Sequence, residues 1–165
     1  MSGEPARSPR WLTAAWGQGP DSFLLAIAAS PDNLAFARAV VAAFAARLAF
    51  TLDEIEDIKL AVSEMVANAV IHAYAGQSPG PVWVAGRAQD GGLEVVVEDR
   101  GRGIKDVARA REAGYSSAGG DHLGIGFSVA ETYMDQVLVD SVPGEGTCVR
   151  LFKRPAADQK QAGPR

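Results

Sequence analysis

The spacing of apolar residues changes along the chain, and each spacing predicts a different element. An apolar run at residues 22–29 predicts a buried strand or an edge strand covered by a partner. Ser30 and Pro31 then form a helix start, followed by a helix to about residue 49. Its apolar residues cover roughly 160° of the circumference, more than one core-facing stripe requires. We therefore expect burial on two sides, by a second layer of the domain or by a homodimer.

A second helix is predicted from Thr51 to about Tyr74. Thr51 and Glu54 have the spacing of a capping box, and the apolar residues that follow lie within roughly a 100° arc. The turn Asp90-Gly91-Gly92 predicts a β-hairpin. The remaining predicted elements are the hairpin strands at 82–87 and 93–98, a short helix near 106–112, a helix at 124–134 and two strands at 136–141 and 146–152.

This order of elements predicts the fold class, an α/β two-layer sandwich. The sheet is expected to be mixed and mostly antiparallel, with the helices on one face. We assign the folded domain to residues 21–154, with flexible tails at 1–20 and 155–165. Trp11 and Trp16 in the first tail either anchor it or lie on the surface.

Composition restricts the function classes. The 165 residues suffice for one domain, and a net charge of −4 with a pI near 5.2 gives no basic field, so we expect no direct nucleic-acid partner. The longest apolar run, residues 39–46, is far below membrane-spanning length, and no signal peptide is recognisable. The single cysteine, Cys148, is expected to be a small core residue. These features predict a cytoplasmic protein without a membrane partner.

Polar residues that flank the buried arc of the second helix are the first candidates for chemistry. Glu64, Asn68 and His72 follow each other at intervals of four and share one edge of the helix. Taken alone, this spacing favours three solvated residues over a site. Three further motifs, taken together with this helix, decide between these alternatives.

One motif is Asp99-Arg100-Gly101-Arg102-Gly103, directly after a predicted strand. The carboxylate is placed to accept a hydrogen bond from an amino group such as that of adenine, and the glycines allow a sharp turn close to a ligand. Gly124 and Gly126 open a helix, where free N–H groups and the helix dipole favour a phosphate. Gly146-Thr147 lies in the last hairpin. Each motif alone is weak.

The order of these motifs over residues 50–152 resembles the Bergerat ATP-binding family, which includes DNA gyrase and the histidine kinases. The segments VSEMVANAVIHAY (62–74), VEDRGRGI (97–104), GIGFSVAETYMD (124–135) and GTCVRL (146–151) are similar to the bacterial anti-sigma serine kinases. Together with FARAVVAAF (36–44), they most resemble the anti-sigma-F factors of endospore formers. The likeness covers about residues 22–152.

This resemblance implies a serine/threonine-protein kinase that uses ATP and magnesium. Such a protein binds a sporulation-type sigma factor and phosphorylates an anti-anti-sigma factor. Glu64 would be the general base and Asn68 the magnesium ligand, while Asp99 and Thr147 would recognise adenine. Arg38 would take part in partner contacts, although a solvated helix charge is an equal alternative.

The glycines and the lid complete the implied nucleotide site. Gly101 and Gly103 would shape the adenine pocket, and Gly124 and Gly126 would face the phosphates. Residues 114–122 correspond to an ATP lid, which would contribute Ser116 and Ser117 to the binding of ATP or ADP.

Several positions depart from the pattern of this family. Ala118 stands where a lysine is expected, His122 and Leu123 replace a basic residue and a serine, and Ala67 occupies a position where a hydroxyl is common. Because fewer fixed cations lie near the γ-phosphate, we expect phosphate transfer to be weakened more than nucleotide binding. A non-catalytic ATP/ADP-binding switch that sequesters a sigma factor or another regulator therefore stays open. A detached histidine-kinase domain is disfavoured, because the only histidines lie inside the predicted fold.

Overall fold

The computed structural model describes residue 11 and residues 16–112 and 123–159. The predicted lid, with Ser116 and Ser117, lies outside the described residues. A 3-10 turn (Pro31–Asn33) precedes the first helix, and a π-helical turn (Ala69–Ala73) continues the second. The elements are β1 (Ser22–Ala28), α1 (Leu34–Ala45), α2 (Leu52–Asn68), β2 (Pro81–Gln89), β3 (Gly92–Asp99), α3 (Val107–Ala110), α4 (Leu123–Tyr133), β4 (Gln136–Val142), β5 (Gly146–Lys153) and α5 (Ala156–Gln159).

The strands form one five-stranded sheet in the order β1-β2-β3-β5-β4. The two-layer sandwich with helices on one side is confirmed, but all four pairings between the described strands are antiparallel, so the expected parallel component is not found there. Two helices separate β1 from β2, and each short connection reverses the direction of the chain. Because β1 is followed by two helices rather than one, β2 returns antiparallel to it.

Local signals placed the β2–β3 turn and the start of α2 correctly, whereas Ser30 makes no side-chain capping bond and precedes a 3-10 turn. Asp90 and Gly91 both have positive φ, 51° and 71°, and form the predicted hairpin turn. At the start of α2, the Glu54 N–H donates to the hydroxyl of Thr51 over 3.3 Å, and the Thr51 N–H donates to Glu54 Oε2 over 2.7 Å. The capping box is therefore present.

The core lies between the inner face of the sheet and α2, which packs against both α1 and α4. The buried residues of α2 are Ile55, Ile58, Ala61, Val62, Met65 and Val66. α1 ends at Ala45, four residues before the predicted end, and only part of its apolar arc is covered: Phe36 is 53% exposed. No helix in the described part of the chain is long and apolar enough to cross a membrane.

The outer face of the sheet carries a second, smaller apolar cluster. Trp83, Ala85, Val96 and Cys148 are buried there, and Trp11 and Trp16 pack against them. Trp11 and Trp16 thus anchor the N-terminal segment to the sheet, and Cys148 is buried as expected. At the other terminus, the Ala156 N–H at the start of α5 donates to Glu54 Oε1 over 2.6 Å.

Candidate functional site

A cleft of about 520 Å³ opens between the end of α2, the ends of β3 and β5, the turn after β3, and α3 and α4. Its wall combines apolar side chains with a few polar and charged ones, as is typical of small-molecule sites. The lining residues are Met65, Asn68, Ala69, His72, Ala73, Val97, Asp99, Arg102, Gly103, Ile104, Lys105, Asp106, Arg109, Ala110, Phe127, Thr147 and Val149.

Asp99 ends β3 and is the most buried acid of this cleft, with 6% of its surface exposed. Its Oδ1 accepts the N–H of Gly101 over 2.8 Å, and the backbone N–H of Thr147 also donates to the carboxylate. Burial, together with a smaller effect of the neighbouring Glu98, raises the pKa of Asp99 to about 6 against the lowering effect of these N–H groups. At neutral pH the site therefore offers a charged acceptor to an amino group.

Thr147 faces Asp99 across the β3–β5 pair and is held by Ser141 of β4. The two hydroxyls are 2.9 Å apart, and Ser141 also accepts the N–H of Ile104 over 2.8 Å and donates to the carbonyl of Gly146 over 3.0 Å. Because a hydroxyl has one hydrogen, Thr147 then donates to Ser141. The sequence analysis did not identify Ser141 as a site residue. Its role follows from the register of β4 with β5, which places Ser141 opposite Thr147.

The turn after β3 runs against the π-helical turn that ends α2. The Arg102 N–H donates to the carbonyl of Ala73 over 2.9 Å, and a Cβ at Gly101 would lie 2.1 Å from that same oxygen. Gly103 has φ +67°, and a Cβ at this position would clash with the carbonyl oxygen of Val142. Both glycines are therefore required by the close approach of neighbouring backbone, and this approach closes one end of the cleft.

Glu64 and Asn68 converge on Gly126 of α4. A Cβ at Gly126 would stand 3.1 Å from Asn68 Nδ2, 3.4 Å from Asn68 Oδ1 and 3.3 Å from Glu64 Oε2. The Nδ2 atom of Asn68 is buried and has no hydrogen-bond partner among the residues that the structure describes. A buried polar atom without a partner is uncommon in a folded protein. The structure thus brings together three of the predicted site residues.

The donor set at this point fits a magnesium ion that is held together with a phosphate. No group of three or more His, Cys, Asp and Glu side chains that could hold a metal occurs within 16–112 and 123–159. Mg²⁺ is usually bound by one or two protein oxygens, with waters and substrate phosphates completing its shell. The amide oxygen of Asn68 meets that requirement, and the carboxylate of Glu64 beside it stays available for proton transfer.

Of the other candidate residues, some line the cleft and others lie outside it. His72 is buried and lines the cleft, whereas Glu64 is half-buried and is not among the lining residues. Gly124 lies in the first turn of α4. Arg38 is exposed on α1 and does not line the cleft.

Three basic residues that the sequence analysis passed over also line the cleft: Arg102, Lys105 and Arg109. Their signal in the sequence was the cluster of cations that follows Asp99. Such side chains can supply positive charge to a bound anion.

Comparison with known proteins identifies relatives across most of the chain. Residues 27–153 match the family model of the histidine kinase-like ATPase domain. The anti-sigma F factor of Pasteuria penetrans is 48% identical over 133 residues, which are 79% of this chain and 89% of that protein. The anti-sigma F factor of Caldanaerobacter subterraneus is 44% identical over 123 residues, which are 74% of this chain and 85% of that protein.

Solved structures agree with these sequence matches. The structure of the RsbU and RsbW domains of Rv1364c from Mycobacterium tuberculosis superposes with a TM-score of 0.59 and 25% identity, covering 81% of this chain and 31% of that one. The blue-light activated histidine kinase EL346 of Erythrobacter litoralis gives a TM-score of 0.53 and 28% identity, over 68% of this chain and 33% of that one. This chain thus spans about a third of either protein.

Proposed function

This chain belongs to the histidine kinase-like ATPase family, among the anti-sigma F factors, and we propose that it is an Mg-ATP-dependent serine/threonine-protein kinase. Its partners would be a sporulation-type sigma factor, which it captures and inhibits, and an anti-anti-sigma factor, which it phosphorylates. Membership of the family implies nucleotide binding. The observation that carries the kinase proposal is the convergence of Glu64 and Asn68 at Gly126.

The adenine end of the nucleotide is assigned to Asp99 and Thr147. The carboxylate accepts a hydrogen bond from the exocyclic amino group, and the Gly101 and Thr147 N–H groups keep the carboxylate in place. The side chains of Met65 and Val149 supply apolar walls for the base. ADP and ATP share this end of the site, so both are expected to bind.

The phosphate end is assigned to the convergence at Gly126 and to the start of α4. Asn68 Oδ1 would hold the magnesium ion, which neutralises phosphate charge and orients the γ-phosphate. The backbone N–H groups at Gly124 and the positive end of α4 would face the phosphate oxygens. Arg102, Lys105 and Arg109 add cationic charge around the cleft.

Glu64 would take the proton of the substrate serine hydroxyl as that oxygen attacks the γ-phosphate and ADP leaves. Its position beside the cleft, not inside it, suits a base that meets a second protein. A base of this kind contributes about 10²–10⁴-fold to the rate, and positioning supplies the remainder.

Partner capture is assigned to α1. Arg38 and Phe36 are both exposed on this helix, and arginine and aromatic side chains are enriched among the residues that carry binding energy in protein interfaces. The uncovered apolar arc of α1 also supports the expected homodimer. The proposed place of action is the cytoplasm, where a sigma factor meets its polymerase, and no direct contact with nucleic acid is proposed.

A second candidate is the non-catalytic switch that binds ATP or ADP and sequesters its partner. It is favoured by Ala118, which occupies the position of the expected lid lysine. A phosphate-transfer assay with γ-labelled ATP, magnesium and the cognate antagonist separates the two candidates. Transfer by the wild type supports the kinase, and capture of the sigma factor without transfer supports the switch.

The base is tested in the same assay with Glu64→Gln, and Glu56→Gln on the exposed side of α2 is the matched control. We expect Glu64→Gln to lower transfer by about 10²-fold or more and to keep ADP affinity near that of the wild type. Glu56→Gln should transfer normally. Full transfer by Glu64→Gln would reject the assignment of Glu64 as the base.

A further inference from the structure

The outer face of the sheet is covered by two tryptophans from the N-terminal segment. Trp11 and Trp16, together called the tryptophan cover, pack against Trp83 and Ala85 of β2, Val96 of β3 and Cys148 of β5. The helices lie on the opposite face, so this cluster is separate from the main core.

Two polar contacts add specificity to this apolar packing. The backbone N–H of Trp11 donates to Glu98 Oε2 over 3.1 Å, across 87 positions of sequence. The guanidinium of Arg87 lies 4.3 Å from the ring centroid of Trp16, and its Nε donates to Glu94 Oε2 over 2.7 Å. Cation–π geometry of this kind is favourable. Trp11 and Trp16 are therefore docked in defined positions.

Glu98 connects the tryptophan cover to an ion pair at the end of β3. Its side chain is fully buried, with Oε1 lying 3.6 Å from Arg100 Nε. A buried carboxylate requires hydrogen-bond donors in place of water, and the Trp11 N–H is one of them. Departure of the cover would admit water to Glu98 and to the Cys148 thiol beside it.

The cover lies directly behind the nucleotide pocket. Glu98 pairs with Cys148 across β3 and β5, and the next pair along the same strands is Asp99 with Thr147. Successive residues of a strand point to opposite faces. One pair of strand ends thus carries the cover on one face and the proposed adenine contacts on the other.

We propose that the tryptophan cover is a positioning element for the nucleotide pocket. Docking of Trp11 and Trp16 holds the ends of β3 and β5, so nucleotide affinity depends on the cover. Coupling between two binding events is reciprocal, and bound nucleotide therefore holds the cover in place. This coupling rests on the proposed nucleotide site, whereas the docking itself does not.

Cys148 reports on the state of the cover. It is the only cysteine of the chain and has no exposed surface, and burial raises the pKa of its thiol to about 12. A thiol-specific reagent such as 5,5′-dithiobis(2-nitrobenzoate) therefore reacts only when the face opens. The experiment compares the full chain with Trp11→Ala/Trp16→Ala, and Leu52→Ala is the control for loss of a large exposed apolar side chain elsewhere.

We expect the double variant to react about tenfold faster or more, and its Kd for ADP, measured by calorimetry, to rise about fivefold. Saturating ADP should slow the reaction of Cys148 in the wild type, a result that needs no substitution. Leu52→Ala should match the wild type in both measurements. The single variants Trp11→Ala and Trp16→Ala give intermediate rates if the double variant fails to fold.

Unchanged Cys148 reactivity in the variants would overturn the docking. Faster reaction with unchanged ADP affinity, and no protection by ADP, would overturn the coupling. A variant that stays protected because a second copy covers the face, seen as a dimer by light scattering, would also overturn the assignment of this face to the tryptophans. If the wild type binds no ADP, the proposed nucleotide site fails, and with it the coupling; the rate comparison still decides the docking.

Discussion

Gly126 of α4 lies so close to Asn68 of α2 that a methyl group at position 126 would stand 3.1 Å from the amide nitrogen. The same methyl group would lie 3.3 Å from Glu64 Oε2. Both distances are shorter than ordinary van der Waals contact. The side chains that we assign to metal binding and to proton transfer therefore depend on the absence of a side chain at Gly126.

Gly126→Ala is expected to impair function more than folding. The side chains of Asn68 and Glu64 must shift by a few tenths of an ångström, which displaces the proposed metal ligand and base. We expect phosphate transfer to fall by about 10²-fold, because misplacement of reacting groups is costly. Thr132→Ala, at an exposed position of the same helix, is the control. Normal transfer by Gly126→Ala would show that the convergence is not used.

Nucleotide affinity is expected to depend on pH through Asp99. Its pKa of about 6 in the free protein means that the carboxyl gains a proton as the pH falls below 6. If adenine binds the charged form, the proton must leave first, so the Kd for ADP should be about tenfold higher at pH 5 than at pH 7.5. Calorimetry at both pH values measures this.

Asp99→Asn is the control for the pH dependence, since an amide does not titrate. The variant should bind ADP more weakly at neutral pH and show a nearly constant Kd between pH 5 and 7.5. The same pH dependence in wild type and variant would assign it to another group.

Tyr74 is expected to stabilise the turn that carries Asp99. Its hydroxyl donates to the carbonyl of Pro81 over 2.7 Å and accepts the N–H of Arg100 over 2.9 Å. Tyr74→Phe leaves both backbone groups without this partner, which should lower the free energy of unfolding by about 1–3 kcal/mol. Urea denaturation measures the loss, with Tyr133→Phe as control. A change as small as that of the control would contradict this role.

Arg38 is expected to act in partner capture and not in nucleotide binding. Reversing its charge in Arg38→Glu should weaken capture of the cognate sigma factor by about tenfold or more. The Kd for ADP should stay unchanged, because Arg38 does not line the cleft. Surface plasmon resonance with immobilised protein measures capture. Unaltered capture would favour the reading of Arg38 as a solvated helix charge.

Local sequence signals predicted much of the fold. The capping box at Thr51 and Glu54 and the hairpin turn at Asp90 and Gly91 depend only on residues within a few positions of each other, and both are present. The end of α1 was predicted four residues late, because the alanine-rich segment at 46–49 contains no helix-breaking residue.

These local signals do not predict contacts between residues that are distant in the sequence. Ser141 reaches Thr147 only through the register of β4 with β5, and the Trp11 N–H reaches Glu98 only through the docking of Trp11 on the outer face of the sheet. The π-helical turn at the end of α2 likewise contacts a residue distant in the sequence, because the carbonyl of Ala73 accepts the Arg102 N–H. Spacing along the chain placed Glu64 and Asn68 on one edge of α2, but their meeting with Gly126 required the packing of α4.

The most direct test of this account is calorimetry of the purified full chain with ATP and magnesium, beside Asn68→Ala. We expect the wild type to bind one nucleotide per chain with an affinity that falls when magnesium is chelated. Asn68→Ala should lose this dependence on magnesium. No heat of binding in the wild type, or the same magnesium-dependent affinity in the variant, would contradict the central claim that Asn68 holds a metal-bound nucleotide in this cleft.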